Sequence, residues 1–123
     1  MGDSLVLSTL PKTWVFDLDG TLLKHNGYKI DGTDTVLPGA LEYLATIPDE
    51  DKVVIFTSRT DEYKQMTLDF LKENGIRYDI IHFNMPMGER IVVNDRKPSG
   101  IPMSIAINID RDNAEFPTII REK

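Results

Sequence analysis

The chain has 123 residues, of which 41% are hydrophobic and 28% charged, a composition typical of one folded domain with its own core. It contains no cysteine, which excludes disulfides, thiolate catalysis and cysteine-ligated zinc. The formal charge of -6 argues against a large nucleic-acid interface, because such an interface relies on many Lys and Arg side chains that neutralise phosphates. No signal peptide and no apolar run long enough to span a bilayer is present, so we expect a cytoplasmic protein without membrane contacts.

Apolar runs alternate with helical patterns along the chain, which is the order typical of a mostly parallel sheet. We therefore predict an α/β fold in a single domain, residues 1–123, with a core over about 13–109. The predicted strands lie at 13–17, 53–56, 78–83, 91–93 and 104–109. The segment 110–123 is a C-terminal extension that could form a helix turn, an edge segment or a tail.

Two helices are predicted between these strands. Pro38 suits the first turn of one helix. Its apolar stripe is then Leu41, Leu44 and Ala45. Thr60 precedes the second helix, and Gly75 ends it as a C-terminal cap. The residues of this second helix at apolar helical spacing are Tyr63, Met66, Thr67, Phe70 and Leu71. Residues 22–36, which include two glycines, indicate an irregular excursion that could form a small hairpin flap.

The run Asp17-Leu18-Asp19-Gly20-Thr21 ends the first strand with two carboxylates one residue apart and then forces a turn. Gly20 permits the positive φ that such a turn can need. At this position Asp17 can attack phosphorus as a nucleophile, while Asp19 can protonate the leaving oxygen and later activate water. Two carboxylates and a phosphate dianion repel one another, so the chemistry requires a divalent cation. The alternative is a polar turn without chemistry, since Asp, Gly and Thr are common turn residues.

Two later strands also end in polar groups. Thr57-Ser58-Arg59 follows the second strand, and a hydroxyl there could hold a phosphate oxygen or could cap the next helix. Asn94 and Asp95 follow the fourth strand. The carboxylate of Asp95 could supply a hard oxygen to Mg²⁺, or it could lie in a solvated turn.

Together these motifs resemble the haloacid dehalogenase-like (HAD) hydrolase superfamily. The run from Asp17 to Thr21 is similar to its motif I, D-x-D-G-T, and a second acid in that motif is typical of phosphatases and phosphomutases. The resemblance implies that Asp17 is the nucleophile and Asp19 the acid and base. Thr57 resembles the hydroxyl of motif II, which binds the transferred phosphate.

The resemblance to motif IV implies a Mg²⁺ site. Its ligands would be the Asp17 carboxylate, the main-chain carbonyl of Asp19 and the Asp95 carboxylate, with Asn94 as a further candidate. Asn94 stands where many relatives have Gly or Asp, and the downstream acid of many relatives is replaced by Ser99 and Gly100. The predicted site therefore carries less negative charge than is usual in the superfamily.

The basic residue of motif III is ambiguous, because no lysine lies between Glu73 and Asn94. Arg90 and Lys97 are the two candidates, and we favour Lys97. The residues that could contact the substrate are Ser58, Arg59, Arg90 and Arg96. A guanidinium fork suits a phosphate or a carboxylate, although a surface arginine can equally form an ion pair of little consequence.

The resemblance implies a HAD-type, Rossmann-like three-layer fold with a central, mostly parallel five-stranded sheet. Core elements fill both intervals in which relatives insert a cap domain, so we predict a small capless phosphatase with an open site. A second copy in a homo-oligomer or the segment 24–33 would close it, and the alternative is that a bulky substrate covers the site itself.

The implied function is a magnesium-dependent phosphomonoesterase. It would act on a small phosphorylated metabolite, with a sugar phosphate as our first choice, through an aspartyl-phosphate intermediate. The alternatives are a phosphatase on nucleic-acid ends or on proteins, and a catalytically weak module that binds a phosphorylated ligand.

Overall fold

The computed structural model describes residues 3–122; Met1, Gly2 and Lys123, which the predicted domain includes, lie outside the described residues. The strands are β1 (Ser4–Leu7), β2 (Thr13–Asp17), β3 (Lys52–Phe56), β4 (Ile80–His82) and β5 (Thr118–Arg121). The helices are α1 (Gly27–Ile30), α2 (Ala40–Ala45) and α3 (Lys64–Glu73), and a 3-10 turn over Asp61–Tyr63 precedes α3. Within residues 3–122, none of the helices combines the length and the apolar character needed to cross a membrane.

Strands β2, β3 and β4 form a parallel sheet in that order. Their register pairs Asp17 with Phe56 and Phe56 with His82, so the carboxyl ends of the three strands lie along one edge. Parallel α/β sheets bind their ligands at this edge. Helices α2 and α3 contribute to the same hydrophobic core as the sheet. Its buried members are Phe16, Leu18, Leu22, Leu23, Ala40, Leu44, Ile47, Val53, Ile55, Leu71 and Ile76.

The central sheet has three strands rather than the predicted five. The predicted strands at 91–93 and 104–109 are irregular in the structure, and the side chains of Ile91 and Val93 are 85% and 90% exposed. An apolar run becomes a strand only where neighbouring strands take its backbone hydrogen bonds and cover its side chains, and that neighbourhood is missing here. The other two strands, β1 and β5, pair in parallel as a separate sheet, so the C-terminal segment is an edge segment.

The two predicted helices form, and only α2 buries a face that differs from the predicted one. In α2 the buried residues are Ala40 and Leu44, whereas Leu41 and Ala45 are exposed, because positions four apart share a helix face. In α3 the predicted face is confirmed, because Thr67 and Leu71 are buried and Phe70 packs against the core, while Met66 is exposed. The predicted C-terminal cap is confirmed, since Gly75 has a φ of 66°.

The excursion over residues 22–36 is closed at its ends like a hairpin. Leu23 and Val36 form an antiparallel bridge, and the N–H of Lys24 donates to the carbonyl of Thr35 at 2.9 Å. The short helix α1 lies between these ends. The prediction of an irregular excursion with hairpin character is therefore confirmed, and its two ends are held next to the turn that follows β2.

Candidate active site

The turn after β2 is held together by its own backbone. The carbonyl of Leu18 accepts hydrogen bonds from the N–H groups of Thr21, Leu22 and Leu23 at 3.3, 3.0 and 3.0 Å. Gly20 allows the sharp change of direction with a φ of 85°. Leu18 is fully buried, so the two acids on either side of it project away from the core.

Asp17 is the acid that is open to solvent. Its side chain is 38% exposed, and one of its carboxylate oxygens lies 3.3 Å from Nη1 of Arg90. The hydroxyl of Thr21 donates to the other oxygen at 3.2 Å. Solvent screens an exposed ion pair of this kind, so Arg90 does little for stability, and Asp17 remains free to contact a ligand.

Asp19, by contrast, is held on both carboxylate oxygens by Arg59. The Nε of Arg59 donates to Oδ2 at 3.0 Å and its Nη2 donates to Oδ1 at 2.8 Å. The side chain of Arg59 is only 1% exposed, and that of Asp19 is 17% exposed. This two-pronged arrangement fixes the plane and the direction of the carboxylate, which a single contact would not do.

The remaining donors of Arg59 face the protein interior. Asp34, on the excursion, accepts from Nη1 and Nη2 at 2.9 and 2.7 Å, and the hydroxyl of Thr67 on α3 accepts from Nη1 at 2.9 Å. The ring of Tyr28 lies over the guanidinium at 4.0 Å. Burial by itself lowers the pKa of Arg59, but the hydrogen bonds and charges of Asp19 and Asp34 outweigh burial and raise the pKa above its ordinary value.

Thr57 follows β3 directly and is buried at the carboxyl edge of the sheet. Its N–H donates to the carbonyl of His82 at 3.0 Å, and its hydroxyl oxygen accepts from the N–H of Arg59 at 3.1 Å. The hydroxyl proton is therefore left for another acceptor. The hydroxyl of Ser58 donates to the carbonyl of Pro86 at 3.4 Å.

The predicted residues after position 93 make no polar contact with these groups in the described chain. Within residues 3–122, Asn94, Asp95, Arg96 and Lys97 form neither a hydrogen bond nor an ion pair with the two acids or Thr57. The amide of Asn94 instead lies 3.2 Å from a carboxylate oxygen of Asp95, and Lys97 bonds through its main chain. Of the two cations considered for motif III, only Arg90 contacts Asp17 in this part of the chain.

The residues of the turn fit a hard cation by their chemistry. The backbone hydrogen bonds of the turn engage the carbonyls of Leu18, Gly20 and Leu23, and within the described chain none engages that of Asp19. Carboxylate and carbonyl oxygens are the donors that Mg²⁺ prefers. The part of the chain that the structure describes contains no cluster of three or more His, Cys, Asp or Glu side chains able to hold a metal. The predicted ligand set needs only two such side chains.

Three parts of the site were missed in the sequence. Asp34 and Tyr28 lie on the excursion and reach Arg59 only through the fold, so no local spacing revealed them. Segment 110–113 crosses the turn after β2: the N–H of Asp112 donates to the carbonyl of Gly20 at 2.9 Å. The side-chain Cγ of Arg111 packs against the same glycine. The only feature of the sequence that pointed to segment 110–113 was its cluster of polar residues, within a part of the chain that we predicted to be an extension.

Comparison with known proteins identifies one family. A family model described as NLI interacting factor-like phosphatase matches residues 12–117, which include the central sheet, the excursion and the turn that carries the two acids. No curated protein and no solved structure gives a significant match.

Proposed function

This chain belongs to the NLI interacting factor-like phosphatase family, and from that premise we propose that it hydrolyses the phosphomonoesters of small metabolites through an aspartyl-phosphate on Asp17. The match confirms the resemblance to HAD phosphatases, because this family is one of that superfamily. One observation carries the finer proposal. The exposed Asp17 ends β2 and the oriented Asp19 lies in the turn after it, at the sheet edge where Thr57 follows β3.

In the first step, a carboxylate oxygen of Asp17 attacks the phosphorus atom, and the bond from phosphorus to the ester oxygen breaks. The departing oxygen takes a proton from Asp19. The exposure of Asp17 supports this role, because a nucleophile must be reachable by a phosphate group. In the second step, water attacks the phosphorus atom of the phosphorylated Asp17. Asp19 removes the proton of that water, and the bond to Asp17 breaks to release phosphate.

Thr57 and Arg90 would bind the phosphate. The hydroxyl of Thr57 accepts one hydrogen bond and keeps its own proton for a phosphate oxygen. Arg90 contacts Asp17 and can donate to a phosphate that approaches it, which favours Arg90 over Lys97 as the basic residue of the site. Arg59 was a further candidate for substrate contact. Its side-chain donors already have acceptors, which argues against that direct role.

A Mg²⁺ ion would be held by the carboxylate of Asp17 and the main-chain carbonyl of Asp19, with Asp95 as the further predicted ligand. When bound, the ion would offset the repulsion between the acids and the phosphate dianion. The charges of the site support this proposal. Among residues 3–122, the ion pairs of Asp17, Asp19 and Asp34 are formed with two cations, Arg59 and Arg90, so these pairs leave one negative charge of the three uncompensated.

A small substrate is supported by the cations available. Arg90 supplies a single positive charge beside Asp17, and a single charge suits one phosphate group better than a long anionic polymer. The preferred class in our proposal is a sugar phosphate. Closure of the exposed site by a second copy of the chain, or by movement of the segment 24–33, is part of the same proposal, since exclusion of water strengthens the electrostatics of the reaction.

A phosphorylated peptide is the second candidate substrate. Arg90 lies within an exposed apolar run, in which Met87 is 92% exposed and Ile91 and Val93 are similarly uncovered. Apolar side chains beside a phosphate-binding cation could bind the residues that flank a phosphorylated side chain.

The test compares sugar phosphates, phosphopeptides and 5′-phosphorylated oligonucleotides as substrates of the wild-type chain with Mg²⁺. We expect at least one sugar phosphate to be hydrolysed with a far higher kcat/KM than either polymer. Efficient hydrolysis of peptides with inert metabolites would establish the second candidate instead. Tight binding of a phosphorylated ligand without any turnover would indicate a binding module.

A further inference from the structure

The buried guanidinium of Arg59 connects three separate parts of the chain. It contacts Asp19 on the turn after β2, Asp34 on the excursion and Thr67 on α3, through five hydrogen bonds of 2.7 to 3.0 Å. An arginine side chain has five N–H donors, so every donor of this group has an acceptor. Because all five donors are hydrogen-bonded, any other arrangement of the guanidinium would lose at least one hydrogen bond.

The two acids that bind Arg59 differ in how far their side chains are exposed to solvent. Asp34 has 1% of its side chain exposed, so it anchors the guanidinium from the interior. Asp19 is the acid on the open side, with 17% of its side chain exposed. Moving Asp19 away would leave a buried cation short of one partner, which is strongly unfavourable. The carboxylate of Asp19 is therefore held by a guanidinium that is itself fixed in place.

The contact with Arg59 leaves acceptor sites open on both oxygens of Asp19. Each of its oxygens accepts one hydrogen bond from Arg59, and a carboxylate oxygen can accept two. One lone pair on each oxygen thus remains on the side away from Arg59. A general acid contributes to catalysis only when it lies within hydrogen-bond reach of the departing oxygen, so the direction of this lone pair matters.

We propose that Arg59 is a positioning residue, anchored by Asp34 and Thr67, that aims the Asp19 carboxylate at the oxygen of the leaving group. The inference rests on the proposed function, in which Asp19 donates that proton. Lysine could not replace Arg59, because an ammonium group is a point charge and cannot form paired, in-plane hydrogen bonds with two carboxylates. The planar face of the guanidinium is also covered by the Tyr28 ring, an arrangement that suits arginine.

The test is the dependence of kcat/KM on the leaving group, which reports the first chemical step. p-Nitrophenyl phosphate has a leaving oxygen that needs little protonation, whereas phenyl and alkyl phosphates need a proton from the enzyme. We expect Arg59→Lys to lower kcat/KM for every ester, and to lower it about tenfold further for the phenyl and alkyl esters, which is a partial loss of the roughly 10²- to 10⁴-fold that general acid catalysis contributes.

Arg77→Lys is the matched control. Arg77 is half-buried and, like Arg59, has several acceptors: the main-chain carbonyls of Ile47, Pro48 and Asp51 at 2.6, 3.2 and 2.7 Å, near the amino end of β3. This variant should lose stability while its kcat/KM changes by the same factor for all esters. A uniform loss in Arg59→Lys, parallel to that of the control, would show that Arg59 only supports the fold and would overturn the inference.

Two milder variants keep the test decisive if Arg59→Lys does not fold. Thr67→Val and Asp34→Asn each weaken the anchoring of Arg59 without touching Asp19, so both should show the same leaving-group pattern with a smaller amplitude. Flat profiles in both would overturn the inference. Failure of the proposed function has a different signature: the wild-type chain would hydrolyse none of the esters, or Asp17→Asn would remain active.

Discussion

The side-chain Cγ of Arg111 lies 3.1 Å from the position that a Cβ atom on Gly20 would occupy. Gly20 has a φ of 85°, so its conformation and its surroundings both disfavour a side chain. The turn after β2 thus packs against Arg111, a residue 91 positions after Gly20 in the chain.

Replacement of Gly20 by alanine should destabilise the protein by the conformational cost, about 1–2 kcal/mol, plus the cost of displacing Arg111. Gly32→Ala is the matched control, because Gly32 has a φ of 80° and no atom within 4 Å of its added Cβ. Urea unfolding should show the larger loss for Gly20→Ala. The double variant Gly20→Ala/Arg111→Ala should recover the difference, and equal losses in both glycine variants would contradict the packing of Arg111.

Asp17→Asn should abolish turnover while the chain stays folded, because the amide keeps the shape of the side chain but cannot attack phosphorus. The measurement is phosphate release, together with mass spectrometry of the protein after rapid quenching in acid. Wild type should carry a phosphate adduct and the variant should not. Deamidation back to Asp is the necessary control, and turnover that survives it would exclude Asp17 as the nucleophile.

Removal of divalent cations with a chelator should stop turnover, and added Mg²⁺ should restore it. Asp95→Ala should raise the Mg²⁺ concentration required for half-maximal activity without changing the fold, whereas Glu73→Ala, at an exposed acid at the end of α3, should not. Asp19→Asn should leave the Mg²⁺ dependence unchanged, because the ligand there is a main-chain carbonyl, and should slow proton transfer by about 10²-fold or more. An unchanged Mg²⁺ titration in Asp95→Ala would remove that residue from the site.

Asp51 should make the stability of the fold depend on pH. Burial acts to raise the pKa of this carboxyl, but hydrogen bonds from Arg121, Trp14 and the N–H of Lys12, together with the charge of Arg121, lower it overall. A carboxyl whose pKa is lower in the folded than in the unfolded state contributes stability above its unfolded pKa, and that stability is lost as the pH falls through the folded pKa.

Unfolding by urea should therefore show Asp51→Asn far less stable than wild type at pH 7, with the difference shrinking once the pH falls below about 4. Asp49→Asn, at an exposed neighbouring acid, is the control. A difference that stayed constant over this pH range would show that Asp51 acts through packing alone.

The sequence was informative where a local pattern sufficed. The strand over Thr13–Asp17, the turn with its glycine and the hydroxyl after β3 all follow from short-range patterns, and the structure has each of them. The family match agrees with the chemistry that these residues indicated.

Contacts between distant segments were out of reach. Arg59 is a candidate for substrate contact because a guanidinium fork suits a phosphate or a carboxylate, and no local pattern in the sequence reveals that its donors bind Asp19 and Asp34. The strands predicted at 91–93 and 104–109 fail for a related reason, since an apolar run specifies a tendency to be buried but not the neighbour that buries it.

The closed ends of the excursion have a consequence for engineering. Leu23 and Val36 are already bridged, so the loop between them could be exchanged for a longer one without stretching the scaffold. Any transplanted loop would have to retain an acid equivalent to Asp34, because that side chain holds the guanidinium behind Asp19. A graft that preserved the hairpin but lost this acid would give a folded protein with an impaired reaction, and the defect would originate in a residue remote from the substrate.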